Sequence, residues 1–230
     1  MKMLNFLLGL FIIYYTSASA ASVFGPHESK IIFSEKEGNV SYTISNTDKE
    51  KVWLVQSWIE DQHEKKTSDF MSLPGITRVE SNSQPSIRII KKGSPLSDRE
   101  SLYWIVSHSI PAQDKQKNNT VNSARLTLAL RFKVPMFYRP KTLTEKPQPE
   151  KLAWSSDKNG NLNVYNPTKY HVQIHHLTIN QKKYDGEGVS HIIMPMTSAK
   201  LNVKTKKTEK IKYAIINDYG AIKFYDSVIE

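Results

Sequence analysis

Short apolar runs with alternating polar positions recur along this 230-residue chain, and glycine, proline, asparagine or aspartate stands between many of them. Alternation with a period of two is typical of β-strands, because successive side chains point to opposite faces of a sheet. No long stretch shows the apolar period of an amphipathic helix. The sequence therefore predicts a nearly all-β fold.

Fourteen of these runs are predicted as strands, seven on each side of a short linker. The linker is segment 141–150, KTLTEKPQPE, in which two prolines and no glycine favour a stiff, extended chain. Seven strands suit one sandwich of roughly 100 residues, so the chain is long enough for two. The predicted strands are Lys30–Phe33, Val40–Ser45, Val52–Ile59, Ile76–Val79, Ser86–Ile90, Leu102–Ser107, Arg125–Val134, Leu152–Ser155, Asn161–Tyr165, Val172–Ile179, His191–Met194, Leu201–Val203, Ile211–Ile216 and Ala221–Tyr225.

The N-terminus has the pattern of a secretory signal peptide. Lys2 supplies a positive charge, residues 4–15 form a short apolar run, and small residues up to Ala20 resemble a cleavage site. The apolar run is shorter than the roughly 20 residues that span a membrane. We therefore expect residues 1–20 to be removed on export, which leaves a soluble chain with domains at residues 21–143 and 148–230.

The charge and cysteine content restrict the partners and the chemistry. Cysteine is absent, so an exported chain of this composition must be stable without disulfides. Without Lys2, the 32 basic residues become 31, which against 22 acidic residues gives a net charge of +9. This charge favours anionic partners. The lysines are dispersed except in segment 204–212, which is interpreted as a solvated strand or loop, and we predict no nucleic-acid partner.

Segment Arg125–Pro140, RLTLALRFKVPMFYRP, holds three leucines in alternate positions. In a β-strand Leu126, Leu128 and Leu130 project from the same face. Pro140 ends the strand because it has no N–H to donate. On periodicity alone this is an ordinary strand that faces its own core, and the alternative is a strand lent to another protein.

Eight short motifs follow one another along the chain. In this order they resemble the periplasmic chaperones of the chaperone/usher pathway, which assemble pili and other fimbrial fibres in Gram-negative bacteria. The resemblance extends over essentially the whole mature chain. The motifs are Val40–Asn46 (VSYTISN), Leu54–Ile59 (LVQSWI), Ser86–Ile90 (SIRII), Asp98–Trp104 (DRESLYW), Ile110–Pro111, Phe137–Pro140 (FYRP), Asn166–Thr168 (NPT) and Ile216–Gly220 (INDYG).

This resemblance implies two immunoglobulin-like sandwiches in an L or boomerang arrangement, located in the periplasm. The partners it implies are pilus or fimbrial subunits and an outer-membrane usher. A self-capping homo-oligomer of the free protein is a further possibility. The resemblance implies neither ATP, nor a cofactor, nor a small-molecule substrate. The loop at 114–123 lacks the cysteine pair of the family's long-loop branch, which favours the short-loop branch.

The resemblance also implies a mechanism. A subunit of this system lacks the last strand of its own sandwich, and the chaperone supplies it by β-augmentation. Aligned on Phe137–Pro140, the donated side chains are Leu126, Leu128 and Leu130. Each well-buried leucine contributes about 1.5–3 kcal/mol before ordering costs.

Family members bind the C-terminal carboxylate of the subunit with an arginine on the first strand and a lysine near the end of the seventh. Here these positions are Lys30 and Pro135. Proline carries no charge, and the nearest substitute is Lys133, on the same strand face if the ladder is regular. The hypothesis is that Lys30 and Lys133 form the carboxylate site, and the alternative is that Lys133 is merely a solvated lysine.

Glu100, Arg139 and Asp218 match the three members of the family's interdomain ion cluster, one from each of three motifs. Their predicted role is to hold the angle of the cleft. Partly buried ion pairs contribute little net stability, but the loss of one partner is costly.

Other functions find less support in the sequence. No nucleophile elbow and no phosphate-binding glycine loop occurs, so the chain is not expected to be an enzyme. His171, His175 and His176 invite a metal interpretation, but no cysteine completes a zinc set and no metal is predicted. One alternative is an immunoglobulin-like structural subunit or adhesin of a surface fibre, which should carry an N-terminal extension of alternating apolar residues. Another is a carbohydrate-binding sandwich with exposed aromatic residues. Segment 21–28, ASVFGPHE, does not alternate.

Overall fold

The computed structural model describes residues 23–112 and 128–230, and it confirms the predicted all-β fold of two immunoglobulin-like sandwiches. The first sandwich packs a four-stranded sheet, in the order β1-β3-β7-β5, against a five-stranded sheet, in the order β2-β9-β8-β4-β6. Its strands are β1 (Phe24–Pro26), β2 (Ile31–Ser34), β3 (Asn39–Asn46), β4 (Trp53–Glu60), β5 (Phe70–Leu73), β6 (Ile76–Val79), β7 (Ser86–Lys91), β8 (Ser101–Pro111) and β9 (Leu130–Arg139).

The core of the first sandwich lies between its two sheets and is rich in aromatic rings. Phe33 of β2 and Tyr138 of β9 both contact Phe70 of β5, with ring centroids 5.0 and 5.8 Å away. The Tyr42 hydroxyl, fully buried on β3, lies 2.9 Å from Ser107 Oγ on β8. This contact satisfies the polar end of a large core side chain and joins the two sheets.

Strand β9 has different neighbours along its length. Its ladder with β8 runs without a register shift from Ser101↔Tyr138 to Ser109↔Leu130, so Pro135 does not interrupt it. On its other side, β2 pairs in parallel only from Ile31↔Met136 onward. Among the described residues, nothing pairs with β9 on that side before Met136.

The second sandwich packs a three-stranded sheet, β10-β11-β15, against the sheet β13-β12-β16-β17, in which β14 also pairs with β12. Its core includes Trp154 on β10 and Tyr213 on β16, whose rings lie 5.1 Å apart. A 3-10 turn at Pro149–Lys151 precedes it. Its strands are β10 (Ala153–Ser156), β11 (Asn161–Asn166), β12 (Val172–Ile179), β13 (Lys182–Tyr184), β14 (Ile192–Ile193), β15 (Thr197–Lys204), β16 (Lys210–Ile216) and β17 (Ile222–Val228).

All fourteen predicted segments overlap an observed strand, and the structure adds β1, β5 and β13. The main correction concerns the start of β9, predicted at Arg125. The strand begins at Leu130, and Leu128 precedes it. Continuing the β8 register would place Pro111 opposite Leu128, and proline has no N–H for the ladder.

The predicted signal peptide, Leu126 and the loop at 114–123 lie outside the described residues. Within residues 23–112 and 128–230, no helix has the length and apolar character needed to cross a membrane.

Candidate functional site

The leucines predicted for donation differ in their surroundings. Leu128 is 62% exposed, whereas Leu130, the first residue of β9, is half-buried and packs on the edge of the first core. The unpaired part of β9 therefore begins at Leu130, an apolar residue. Leu128, two residues earlier in the chain, projects into solvent. An unpaired strand edge of this kind can accept a further strand.

Arg139, the last residue of β9, joins the two sandwiches. Its Nε and Nη2 donate to Glu100 Oε1 at 3.0 and 2.8 Å, and its Nη1 donates to Asp218 Oδ2 at 2.8 Å. Burial alone would lower the pKa of Arg139, but the hydrogen bond that it donates to Asp218 and the charges of both carboxylates outweigh burial and raise the pKa. The structure thus brings together the three predicted cluster residues, and their control of the cleft angle stays a prediction.

Two residues that were not predicted for the cluster also contribute to it. Glu100 Oε2 accepts from the backbone N–H of His171 at 2.8 Å and lies 3.1 Å from His171 Nδ1. Lys30 Nζ lies 3.8 Å from Asp218. With Arg139, the cluster holds two cations and two anions, so its formal charge is zero when the imidazole is neutral.

Lys30 lies at the bottom of the cleft between the sandwiches. Its side chain is only 6% exposed, and its Nζ donates to the carbonyl oxygen of Ile216 at 3.2 Å. The ammonium group also lies 4.9 Å from the centre of the Phe137 ring. Burial lowers the pKa of Lys30, and the carboxylates of Asp218 and Glu100 oppose that shift.

Lys133 has partners other than those of Lys30. It does lie on the same strand face as Pro135, as predicted for a regular ladder. Its Nζ lies 2.8 Å from Glu60 Oε2 and 2.7 Å from Glu64 Oε2. Burial would lower the pKa of Lys133, but hydrogen bonds to these two carboxylates raise it. The two lysines proposed for one carboxylate site therefore share no partner here.

The neighbours of Glu60 explain this arrangement. Glu60 is 4% exposed and accepts from Trp58 Nε1 at 2.9 Å and from Arg131 Nη2 at 2.6 Å. Burial would raise the pKa of Glu60, and the hydrogen bonds from Lys133 and Trp58 lower it. A nearly buried carboxylate of this kind needs cationic partners, and Lys133 is one of them.

Gln173 on β12 is a cleft residue that the sequence did not indicate. Its Oε1 is buried and has no hydrogen-bond partner among the described residues. The residue lines two cavities, of about 580 and 550 Å³. The first also contains Lys30 and the second contains Pro135. A glutamine at an alternating strand position carries no sequence signal that would distinguish it from a solvated one.

The histidines considered as metal ligands contact other groups. His171 is bound to Glu100, and His175 Nδ1 lies 2.7 Å from His176 Nδ1. Within the described part of the chain, no group of three or more histidine, aspartate or glutamate side chains is placed to hold a metal ion.

Two immunoglobulin-like sandwiches, joined by an ion cluster and carrying a strand whose one side is unpaired before Met136 among the described residues, define a two-domain all-β protein. Residues 24–144 match the family model described as pili and flagellar-assembly chaperone, PapD N-terminal domain. Residues 147–227 match the model for pili assembly chaperone PapD, C-terminal domain. The chain therefore belongs to the family of pilus-assembly chaperones.

Individual relatives agree with this family over nearly their whole length. The chaperone protein FocC of Escherichia coli is 30% identical over 227 residues, which cover 96% of each chain. The crystal structure of the periplasmic chaperone SfaE has a TM-score of 0.72 and 26% identity, and the match covers 90% of this chain and 99% of SfaE. The SafB chaperone of Salmonella enterica, solved with the SafA pilin, has the same fold, with a TM-score of 0.76 at 22% identity over 92% of this chain and 98% of that one.

Proposed function

We propose that this protein is a periplasmic chaperone that binds and stabilises pilus or fimbrial subunits by donor-strand complementation and delivers them to an outer-membrane usher. Family membership supports the class, and the solved SafA–SafB complex is a related chaperone bound to a pilin. The observation that carries the mechanism is the open side of β9 before Met136, next to the exposed Leu128.

In this proposal the subunit pairs with β9 and the segment before it. Leu126, Leu128 and Leu130 enter its open core. The backbone of the donated strand satisfies unpaired N–H and C=O groups on the subunit, so pairing and apolar burial form together. Ordering the segment before Leu130 costs conformational entropy, which the burial of the leucines must exceed.

Lys30 and Lys133 are the proposed cations for the C-terminal carboxylate of the subunit. Lys30 is held in the cleft by Ile216 and Asp218, which favours a fixed position for the bound chain end. Lys133 would have to exchange the exposed Glu64 for the incoming carboxylate, while Glu60 keeps its place. The proposed role of Glu100, Arg139 and Asp218 is to fix the cleft in which this chain end binds.

The N-terminal pattern of residues 1–20 supports export to the periplasm. Without a subunit, the open side of β9 is available to a second copy of the chain, so we propose a self-capping homo-oligomer for the free protein. Sedimentation of the purified protein over a concentration series tests this, and a monomer at every concentration contradicts it.

Co-expression with candidate subunits encoded beside the gene tests the proposed function. We expect a one-to-one complex in the periplasmic fraction, and Leu128→Asp should abolish its recovery because a charge cannot enter an apolar core. Leu96→Asp is the matched control, since Leu96 is similarly exposed at 59% but lies between β7 and β8, outside the strand that we propose for donation. Failure of every candidate subunit to co-purify, or undiminished recovery with Leu128→Asp, would contradict strand donation.

A further inference from the structure

The amide oxygen of Gln173 lies in the cleft between the sandwiches without a hydrogen-bond partner among the described residues. A buried acceptor without a donor costs about 1–3 kcal/mol. Most buried polar groups in folded proteins have a partner, so an exception calls for an explanation. Gln173 Oε1 is buried in the described structure and has no such partner.

The position of Gln173 places it beside Lys30. Gln173 is the register partner of Ile216 across β12 and β16, and the Ile216 carbonyl oxygen accepts from Lys30 Nζ at 3.2 Å. Gln173 and Ile216 are the two residues that line both cavities. They therefore form the ridge between the cavity that holds Lys30 and the cavity that holds Pro135.

The charged side chains around this ridge already have partners of opposite charge. Arg139 and Lys30 are balanced by Glu100 and Asp218, and Pro135 supplies neither charge nor a donor. Lys133 is held by Glu60 and Glu64. A chain end that enters the cleft needs donors for its carboxylate and an acceptor for its last N–H. A primary amide offers both, because it has two donor hydrogens and one acceptor oxygen.

We infer that Gln173 binds the terminal peptide unit of the subunit in the cleft, where its amide NH₂ donates to the α-carboxylate and its Oε1 accepts from the last backbone N–H. Gln173 is then a specificity residue for a free chain end, in the place where Pro135 leaves no cation. This inference rests on the proposed function. It adds a residue to the binding site without altering the role of the leucines.

The test uses purified one-to-one complexes of the full-length mature chaperone. One set contains the subunit with its natural C-terminus, and the other contains the same subunit with one added C-terminal glycine, which moves the carboxylate away. The measured quantity is the rate of subunit release into an excess of tagged wild-type chaperone. The chaperone variants are Gln173→Leu, which removes both polar atoms at similar volume, and Gln173→Met as a second isostere.

For the natural subunit we expect Gln173→Leu and Gln173→Met to speed release about tenfold, the effect of roughly one lost hydrogen-bond pair. For the extended subunit, release should already be fast and should change less than about twofold. Gln56→Leu, an exposed glutamine on β4, is the control and should leave both rates unchanged.

Equal acceleration for both subunits, or no acceleration for either, would overturn the inference, because Gln173 would then have only a packing role or none. The outcome is distinguishable from failure of the proposed function. If no complex forms, or if Leu128→Asp still binds, strand donation itself is wrong. If the complex forms, depends on Leu128 and is indifferent to Gln173, only this inference is lost.

Discussion

Arg139 and Asp218 are 79 positions apart in the chain, yet Arg139 Nη1 donates to Asp218 Oδ2 at 2.8 Å. Arg139 ends the strand that we propose for donation, and Asp218 lies in the turn between β16 and β17 of the second sandwich. Glu100, immediately before β8, shares the same guanidinium. A cation at the end of β9 thus joins the two sandwiches. Its removal leaves the carboxylates of Glu100 and Asp218 without their shared arginine.

Arg139→Ala should therefore destabilise the protein more than Asp218→Asn. The arginine variant leaves Glu100, 3% exposed, with a buried charge whose remaining hydrogen-bond partner is His171, and we expect a loss of about 3 kcal/mol. Asp218→Asn neutralises a carboxylate whose own side chain is 29% exposed, so the loss should be roughly 1 kcal/mol. Chemical denaturation followed by tryptophan fluorescence measures both.

The matched control is Arg78→Ala, which breaks the solvent-exposed pair of Arg78 and Glu80 and should barely change the unfolding midpoint. Equal effects of Arg139→Ala and Arg78→Ala would show that the cluster does not couple the two sandwiches.

Leu128→Ala and Leu130→Ala should separate subunit binding from stability. Leu128 is mostly in solvent, so its truncation should change the free energy of unfolding by less than about 0.5 kcal/mol. Leu130 packs on the core edge, and its truncation should cost about 1–2 kcal/mol. Both variants should yield less subunit complex in the periplasmic fraction. An unfolding midpoint that falls as far for Leu128→Ala as for Leu130→Ala would contradict the solvent-facing position of Leu128.

Lys133 can be tested through its exposed partner. Glu64→Gln removes one of its two carboxylates, while the nearly buried Glu60 remains. If Lys133 binds the carboxylate of the subunit, this change should slow subunit release severalfold, because the incoming group no longer competes with Glu64. Lys30→Ala and Lys133→Ala should each lower recovery of the complex. Undiminished recovery for Lys133→Ala, together with an unchanged release rate for Glu64→Gln, would remove Lys133 from the site.

Glu35 should make a small acid-dependent contribution to stability. Hydrogen bonds from Lys91 Nζ and from the backbone N–H of Lys141 lower the pKa of Glu35 from 4.5 to about 2. Because the pKa is depressed in the folded state, the contribution is present above pH 4.5 and is lost as the pH falls towards 2. Glu35→Gln should lower stability at pH 7 by less than about 1 kcal/mol, since the carboxylate lies near the surface.

Denaturation curves of wild type and Glu35→Gln between pH 7 and pH 2 measure this difference directly. The gap between them should stay constant above pH 4.5 and close below it. A gap that stays constant down to pH 2 would show that ionisation of Glu35 does not stabilise the folded protein.

The sequence predicts strands wherever apolar alternation is long enough, and it fails for β1, β5 and β13. Strand β1 is three residues, FGP, two of which usually signal a turn, and β13 is the polar tripeptide KKY. Strand β5 is immediately followed by Pro74-Gly75, which also signals a turn. These strands exist because a neighbouring strand offers backbone partners, and that information is not local.

The candidate site also contains residues that the sequence could predict and residues that it could not. Motif positions were enough to select Glu100, Arg139 and Asp218, which the structure brings into contact. They could not reveal that Glu60, two strands away on β4, binds Lys133 across the outer face of the sheet. Nor could they select Gln173, because an unpartnered buried oxygen is a property of the folded cleft and not of the strand pattern around it.

The parallel pairing of β2 with β9 limits the length of any guest strand. β2 occupies one side of β9 from Met136 onward, and Lys30 stands immediately before β2. A guest strand that pairs with this side of β9 and runs towards Arg139 reaches the first residue of β2. Its pairing with β9 must therefore end before Met136. In the proposed complex, the start of β2 therefore fixes where the guest strand ends, and the guest's last residue lies beside Lys30.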